Sequence, residues 1–352
     1  MVYLTLFLCF IASIIITPYV KKFAIAIGAT DKPNARKVHQ KIMPRLGGLA
    51  IYISFIIGFL ILRPTDPDVS VLSIIIGSFI IIITGVLDDR FELSAKIKLI
   101  GQLLAASAVV LGGIQIDFIT LPFSEQEIDF GYFSIPITIL WIVGITNAIN
   151  LIDGLDGLAA GVSSIALITI SGMAILMGNV FVTSMGLILL GSTLGFLVYN
   201  FHPAKIFMGD TGALFLGFMI SVLSLLGFKN ITIFSLIVPI IILGVPISDT
   251  FFAIIRRFVN KQPLSAPDKS HLHHRLLALG YTHRQTVLII YGIAAMFGLA
   301  ALIFSQSTMW GALIVIGVLL IAIELFVEKI GLVGKDYKPL LKFLKQANAK
   351  NR

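Results

Sequence analysis

From residue 3 to residue 327 the chain is a succession of apolar runs, each about as long as a bilayer is thick. A helix crossing the hydrocarbon core needs about 20 mostly apolar residues. Eleven stretches meet that need: 3–20, 46–62, 69–87, 99–116, 134–149, 158–177, 181–200, 212–227, 231–254, 285–304 and 309–327. The 352 residues are 57% hydrophobic and only 12% charged, against about 25% charged in a soluble domain, so lipid has to serve as the solvent. Isoleucine-rich segments such as Ile74–Ile83 carry strand propensity. An open strand leaves its backbone unsatisfied in hydrocarbon, so they read as helices too. The predicted fold is an all-α polytopic membrane protein of about eleven transmembrane helices. Residues 1–330 form one bundle, and 331–352 form a basic tail. No cation precedes the first run and no small-residue cleavage site follows it, so it reads as a retained span. The single cysteine, Cys9, excludes an intrachain disulfide.

Orientation follows the cations. With eleven spans, all but two of the 26 Lys and Arg residues fall on the side of the C-terminus, and only Arg63 and Lys229 lie opposite. The loop with Glu125, Glu127 and Asp129 carries no cation. Positive loops stay in the cytoplasm, which places the N-terminus outside and the C-terminus inside. The net charge of +8 then reflects topology and anionic lipid rather than nucleic acid. The tail, with Leu340, Leu341, Phe343 and Leu344 among lysines, suits either a place on the inner leaflet or a plain topology anchor.

Four polar clusters far apart in sequence fall on that cytoplasmic side. Asp88 and Asp89 end the third run; adjacent carboxylates repel, and holding both ionised needs a cation or a shared proton. Asn147, Asn150, Asp153 and Asp156 recur every third residue after the fifth run, interleaved with Gly154 and Gly157, which permit close backbone approach to a ligand. Asp210, within Phe207-Met-Gly-Asp-Thr-Gly212, opens the eighth run beside Lys205 and His202. It serves as a helix cap or as a Mg²⁺ ligand, since that ion is held by one or two carboxylates plus substrate phosphates. His271, His273, His274 and Arg275 form the fourth cluster, a solvated basic loop or a set of phosphate donors. His and Cys ligands are too loosely grouped along the chain to make zinc the better choice, although His271, His273 and His274 keep it open. The span centres lack ionisable residues, which argues against a transporter, since carriers place them at mid-membrane depth.

Together these stretches resemble the polyprenyl-phosphate N-acetylhexosamine-1-phosphate transferases. The matching segments are Leu87–Arg90, Asn147–Ala159, Phe207–Gly212 and His271–Leu276, with Asp31–Pro33, Arg36–His39 and Pro44–Gly48 in the first loop. The His-x-His-His-Arg form is similar to the branch that uses UDP-N-acetylglucosamine, and within it to bacterial enzymes that start teichoic acid, O-antigen or common antigen. Ala213 departs from the Ser often found there. The resemblance implies transfer of GlcNAc-1-phosphate from UDP-GlcNAc to undecaprenyl phosphate, releasing UMP, at the bacterial inner membrane with a cytoplasmic active site. It implies Mg²⁺, with Mn²⁺ the alternative, on Asp210 with Asn150 as second ligand. Asp88 would orient or deprotonate the lipid phosphate, Asp89 would support the metal, and Lys98, with Lys96, would screen phosphates. Asn147 and Asn150 would bind substrate, and Asp153 and Asp156 would line the nucleoside site. His271, His273, His274 and Arg275 would hold pyrophosphate or sugar. A UDP-MurNAc-pentapeptide donor is the rival within the enzyme class. The oligomeric state, a homodimer included, stays open, as does a one-step against a covalent route.

Overall fold

Helix formation satisfies every backbone group inside its own segment, and the apolar runs take that solution throughout. The computed structural model describes residues 1–31, 42–67, 69–120, 126–228, 233–259, 261–263, 270–332 and 337–342. The helices are α1 (Val2–Ile27), α2 (Gly47–Leu62), α3 (Val71–Phe91), α4 (Ala95–Leu111), α5 (Ser134–Ile152), α6 (Leu158–Leu176) and α7 (Val180–Asn200). They continue with α8 (Gly209–Phe228), α9 (Ile233–Ile242), α10 (Gly244–Val259), α11 (Leu272–Ala278), α12 (His283–Gln306) and α13 (Met309–Ile330). Two small antiparallel pairs complete the chain: β1 (Thr30–Asp31) with β2 (Met43–Pro44), and β3 (Phe118–Thr120) with β4 (Glu127–Asp129). The Arg36–His39 stretch, Glu125, Lys229 and most of the basic tail lie outside the described residues.

Eight of the described helices are long and apolar enough to cross a membrane, so the chain is a multi-pass membrane protein. The remaining apolar runs are α2, with 16 residues, the lysine-bearing α4, and the ninth run. That last run departs from the single span read in the sequence: it is two helices, α9 and α10, parted at Leu243. Pro246, in the first turn of α10, has no N–H to carry the hydrogen-bond ladder across the join.

Buried side chains place α8 at the centre. Phe215, Leu216, Phe218, Met219, Ile220, Val222 and Leu223 are fully buried, and α8 packs against α2, α3, α5 and α6. At the periphery, α1 and α13 leave Phe7, Ile15, Trp310 and Ile314 more than half exposed, as lipid-facing helices do. Several buried hydroxyls bond to their own helix four residues back: Thr17 donates to the Ser13 carbonyl at 2.6 Å, Ser54 to Ala50 at 2.8 Å and Thr146 to Ile142 at 2.6 Å. That arrangement satisfies polar side chains where no water reaches.

Candidate active site

Asp89 organises one end of the bundle. Its carboxylate comes from the last turn of α3, with its side chain fully buried, and reaches across to the first turn of α8. There it accepts the Asp210 N–H at 2.9 Å, the Thr211 N–H at 3.0 Å and the Thr211 hydroxyl at 2.6 Å. The first amides of a helix have no intrahelical partners and carry its positive end, so an acid from a neighbouring helix is a natural cap. The Arg45 Nε donates to the same carboxylate at 3.2 Å. Gly209, at φ 71°, turns the chain into α8, and a Cβ there would run into the Asp89 carboxylate.

The strap that carries Arg45 is fixed by backbone pairing. Phe207 donates to the Pro44 carbonyl at 2.9 Å, and Gly47 and Gly48 donate to Phe207 and Met208 at 3.0 and 2.9 Å. A Cβ on Gly48 would overlap the Gly212 backbone, so α2 and α8 approach there as closely as backbones allow. Arg45 thus sits among acids, 3.9 Å from Asp31 and 4.0 Å from Asp210. Burial works against its charge, but Asp89, Asp210, Asp31 and Asp88 outweigh it and hold the guanidinium above its ordinary value.

Lys98, in the first turn of α4, bridges the two remaining acids: its Nζ is 2.7 Å from Asp210 Oδ2 and 3.3 Å from Asp88 Oδ2. Asp88 and Asp210 are also hydrogen-bonded to each other. Two carboxyls in contact must share a proton or a cation, and Asp210 keeps 19% of its side chain exposed toward the cleft. The hard-oxygen donors of this pair therefore fit a Mg²⁺-class ion. Asn150 is half-buried in α5, and its side chain makes no hydrogen bond among the described residues, which leaves its amide oxygen uncommitted.

Beside this cluster opens a cleft of about 500 Å³, lined by Arg45, Asp153, Asp156, Asp210, His273 and His274 among others. Asp153 follows the end of α5. Burial, then the neighbouring Asp210 and Asp89, push its carboxyl up to about 8. Asp156 Oδ2 meets His202 Nδ1 at 2.9 Å and the Ala204 N–H at 3.0 Å. Gly157, at φ 77°, donates to Asn200 Oδ1 at 3.1 Å and accepts from the Tyr291 hydroxyl at 2.5 Å. These bonds tie the acidic turn to α7 and α12.

His273 stands against Gly154, and burial, with neighbouring His274, pushes its imidazole down to about 3. It is a neutral hydrogen-bonding group at physiological pH. His271 does not line the cleft. It is buried, with Nδ1 2.8 Å from Asp249 Oδ2, while Asp249 Oδ1 accepts the Leu272 N–H at 2.8 Å. Arg275 is half-buried with Nε unpartnered among the described residues, and its NH2 nitrogen reaches Ser270 at 3.4 Å. Asn147 also faces away from the cleft: it exchanges two amide hydrogen bonds with Gln102 of α4, at 2.6 and 3.2 Å.

The ends of α2, α3, α4, α5, α8, α11 and α12 thus bring all four predicted clusters to one end of the bundle. Asp153, Asp156, Asp210, His273 and His274 share the cleft. Asp88, Asp89 and Lys98 stand behind Asp210, and Asn147, Asn150, His271 and Arg275 stand outside the lining. Sequence reasoning missed the roles of Arg45 and Asp249. Asp249 has a signal that could have found it: a single carboxylate inside an otherwise apolar run has to find a partner.

The Glycosyl transferase family 4 profile matches residues 71–228, which hold Asp88 through Asp210. A Bacillus subtilis protein named "Probable undecaprenyl-phosphate N-acetylglucosaminyl 1-phosphate transferase" is 54% identical over 96% of this chain and 94% of its own length. A decaprenyl-phosphate N-acetylglucosaminephosphotransferase of Mycolicibacterium smegmatis is 35% identical over 88% of this chain and 85% of its own. A phospho-N-acetylmuramoyl-pentapeptide-transferase of Halalkalibacterium halodurans is 33% identical over 85% of this chain and 96% of its own.

Proposed function

The chain belongs to glycosyl transferase family 4, and from that premise we propose that it transfers GlcNAc-1-phosphate from UDP-GlcNAc to undecaprenyl phosphate, releasing UMP. The observation that carries this reading is the Asp88–Lys98–Asp210 cluster, clamped by Asp89 at the head of a cleft large enough for a nucleotide sugar. The identity of 54% to the Bacillus subtilis protein, against 33% to the pentapeptide transferase, supports GlcNAc as the sugar. The product begins a cell-envelope polymer of the teichoic acid or lipopolysaccharide kind. The cation-rich loops support a site on the cytoplasmic face of the bacterial inner membrane.

Joining two phosphates is mainly a matter of overcoming repulsion between anions and aligning them. A Mg²⁺ ion held by Asp210, with Mn²⁺ as substitute, would neutralise charge on the donor pyrophosphate. Lys98, already tethered to Asp88 and Asp210, adds a positive charge that can turn to the incoming lipid phosphate. Asp88 orients that phosphate and takes up its proton if it arrives monoprotonated. Asp89 touches no substrate in this scheme: it holds the first turn of α8 and Arg45, and so aims Asp210. Asp153 and Asp156 face the nucleoside, neutral His273 and its neighbour His274 hydrogen-bond the pyrophosphate or sugar, and Asp249 fixes the His271 ring beneath them. The prenyl chain lies between helices, where each buried CH₂ contributes about 0.8 kcal/mol.

The test is direct. Purified protein with UDP-GlcNAc labelled in the sugar and undecaprenyl phosphate should move label into the butanol phase, and chelator should stop it. Failure of transfer with both substrates and magnesium present would remove the proposal. Competition by excess UDP-MurNAc-pentapeptide would transfer it to the rival donor.

A further inference from the structure

Besides Asp210, the cleft carries a second group of potential ligands whose chemistry differs. Asp156, His202 and His283 come from the turn after α5, the segment between α7 and α8, and the first residue of α12. They offer one ligand atom each, all within 4.8 Å of one another. The two imidazoles stack with centroids 4.2 Å apart and planes 20° from parallel.

The hydrogen bonds around them leave lone pairs free for a metal. His202 Nδ1 is 2.9 Å from Asp156 Oδ2, a pair that holds one proton between its lone pairs, and a cation entering there displaces that proton and takes both atoms as ligands. The His283 ring hydrogen-bonds the Asp156 backbone. Its Nε2 is buried and has no partner among the described residues, so that bond falls to Nδ1 and leaves Nε2 as a bare acceptor. His283 thus shows the pattern of a metal-binding histidine, in which one ring N–H is fixed by a backbone carbonyl and the other nitrogen is left to the ion. A buried acceptor without a donor costs about 1–3 kcal/mol, a cost that a cation would relieve. The His202 side chain is 39% exposed, which gives an ion a way in.

We propose that Asp156, His202 and His283 form a binding site for a zinc-class cation at the mouth of the cleft, separate from the magnesium position at Asp210. Two imidazoles and one carboxylate are donors that a borderline-soft ion accepts and Mg²⁺ does not favour. Tetrahedral ligands about 2 Å from zinc lie ~3.4 Å apart, which the exposed His202 ring reaches by rotating inward. An open fourth position holds water. Asp156 also lines the cleft, so an ion bound there obstructs the nucleotide sugar. That consequence rests on the proposed function, whereas the site itself does not.

The experiment uses the full chain in detergent with excess magnesium, and measures zinc by competition with a fluorescent chelator. Wild type should bind one zinc per chain, and His202→Asn and His283→Asn should each weaken it by at least about tenfold. Cobalt in place of zinc should give the visible bands of a four-coordinate nitrogen–oxygen site without a thiolate band. Zinc should raise the melting temperature of wild type but not of the two variants, a comparison each protein makes against its own zinc-free state. Equal zinc affinity in wild type and His283→Asn would overturn the proposal. So would loss of zinc binding in His274→Asn with both other histidine variants unaffected, since the ion would then belong to the cluster on α11. In the transfer assay zinc should inhibit wild type, and His283→Asn should resist it. The binding result stands whether or not transfer is observed.

Discussion

Asp88 and Asp89 are neighbours in sequence with opposite duties, and replacing each by asparagine separates them. Asp89 accepts four hydrogen bonds, two per oxygen: Arg45 Nε and the Asp210 N–H on Oδ1, and the Thr211 N–H and hydroxyl on Oδ2. An asparagine keeps one oxygen and turns an NH2 toward the other pair of donors, while Arg45 loses its buried counter-charge. Removing one partner of a buried pair costs about 3–5 kcal/mol. Arg45 retains 18% exposure and is partly rehydrated, so the low end, about 3 kcal/mol, applies. With an unfolding entropy of about 2.1 cal/mol/K per residue, a chain of 352 residues should melt about 4 °C lower on the soluble-protein scale. Asp88→Asn is different, because Lys98 keeps Asp210 at 2.7 Å and no helix end loses its cap. It should melt within about 1 °C of wild type yet lose at least about 100-fold in turnover. The assays are a thermal shift in detergent and UMP release. Equal destabilisation by the two substitutions, or a stable and fully active Asp89→Asn protein, would refute the division of labour.

Asp210→Ala should abolish UMP release at every magnesium concentration, whereas Asp129→Asn, whose carboxylate caps the Gly131 N–H at 2.8 Å, should leave turnover unchanged. Asp249→Asn should invert the His271 tautomer, raising KM for the donor several-fold more than it lowers the melting temperature would suggest; a variant with wild-type KM would free His271 of that dependence. Gly48→Ala should be poorly folded, since its methyl meets the Gly212 backbone, and a protein of normal yield and stability would contradict that packing. Stability should also depend on pH through two groups. Asp153 has its folded value raised to about 8 from 3.8, so the folded state holds a proton that the unfolded chain has released, and stability falls as pH rises across that interval. His273 is lowered to about 3 from 6.5, so its contribution is lost as pH falls below 6.5. The two oppose each other in acid, and the Asp153 slope stands alone from about pH 6.5 to 8. Asp153→Asn should flatten the melting-temperature profile over that range, and an unchanged profile would refute the assignment.

The helices were legible because lipid removes the alternatives: once a run is long and apolar, only a helix or a closed barrel satisfies its backbone. The four clusters were legible because alternating spans force their loops to one end. Other features depend on information that no single run contains. Asn147 shares its stripe with Asn150 and Asp153, yet its amide is consumed by Gln102, which depends on how α4 and α5 are rotated against each other. His271 and Arg275 belong to one motif with His273 and His274, but only the latter two line the cleft, because Asp249 draws His271 into α10. Arg45, His202 and His283 have no acid close by in sequence, and only the folded bundle gives each its acid. The break at Leu243 is marked by Pro246, but continuous hydrophobicity hides it from a reading by composition.

The central claim is that a phosphate travels with the sugar. A UDP-GlcNAc donor carrying radioactive phosphorus at its β-phosphate, incubated with purified protein, magnesium and undecaprenyl phosphate, should deliver that label to the lipid while unlabelled UMP accumulates in water. Label retained in the aqueous phase as UDP, with the sugar alone passing to lipid, would contradict the account.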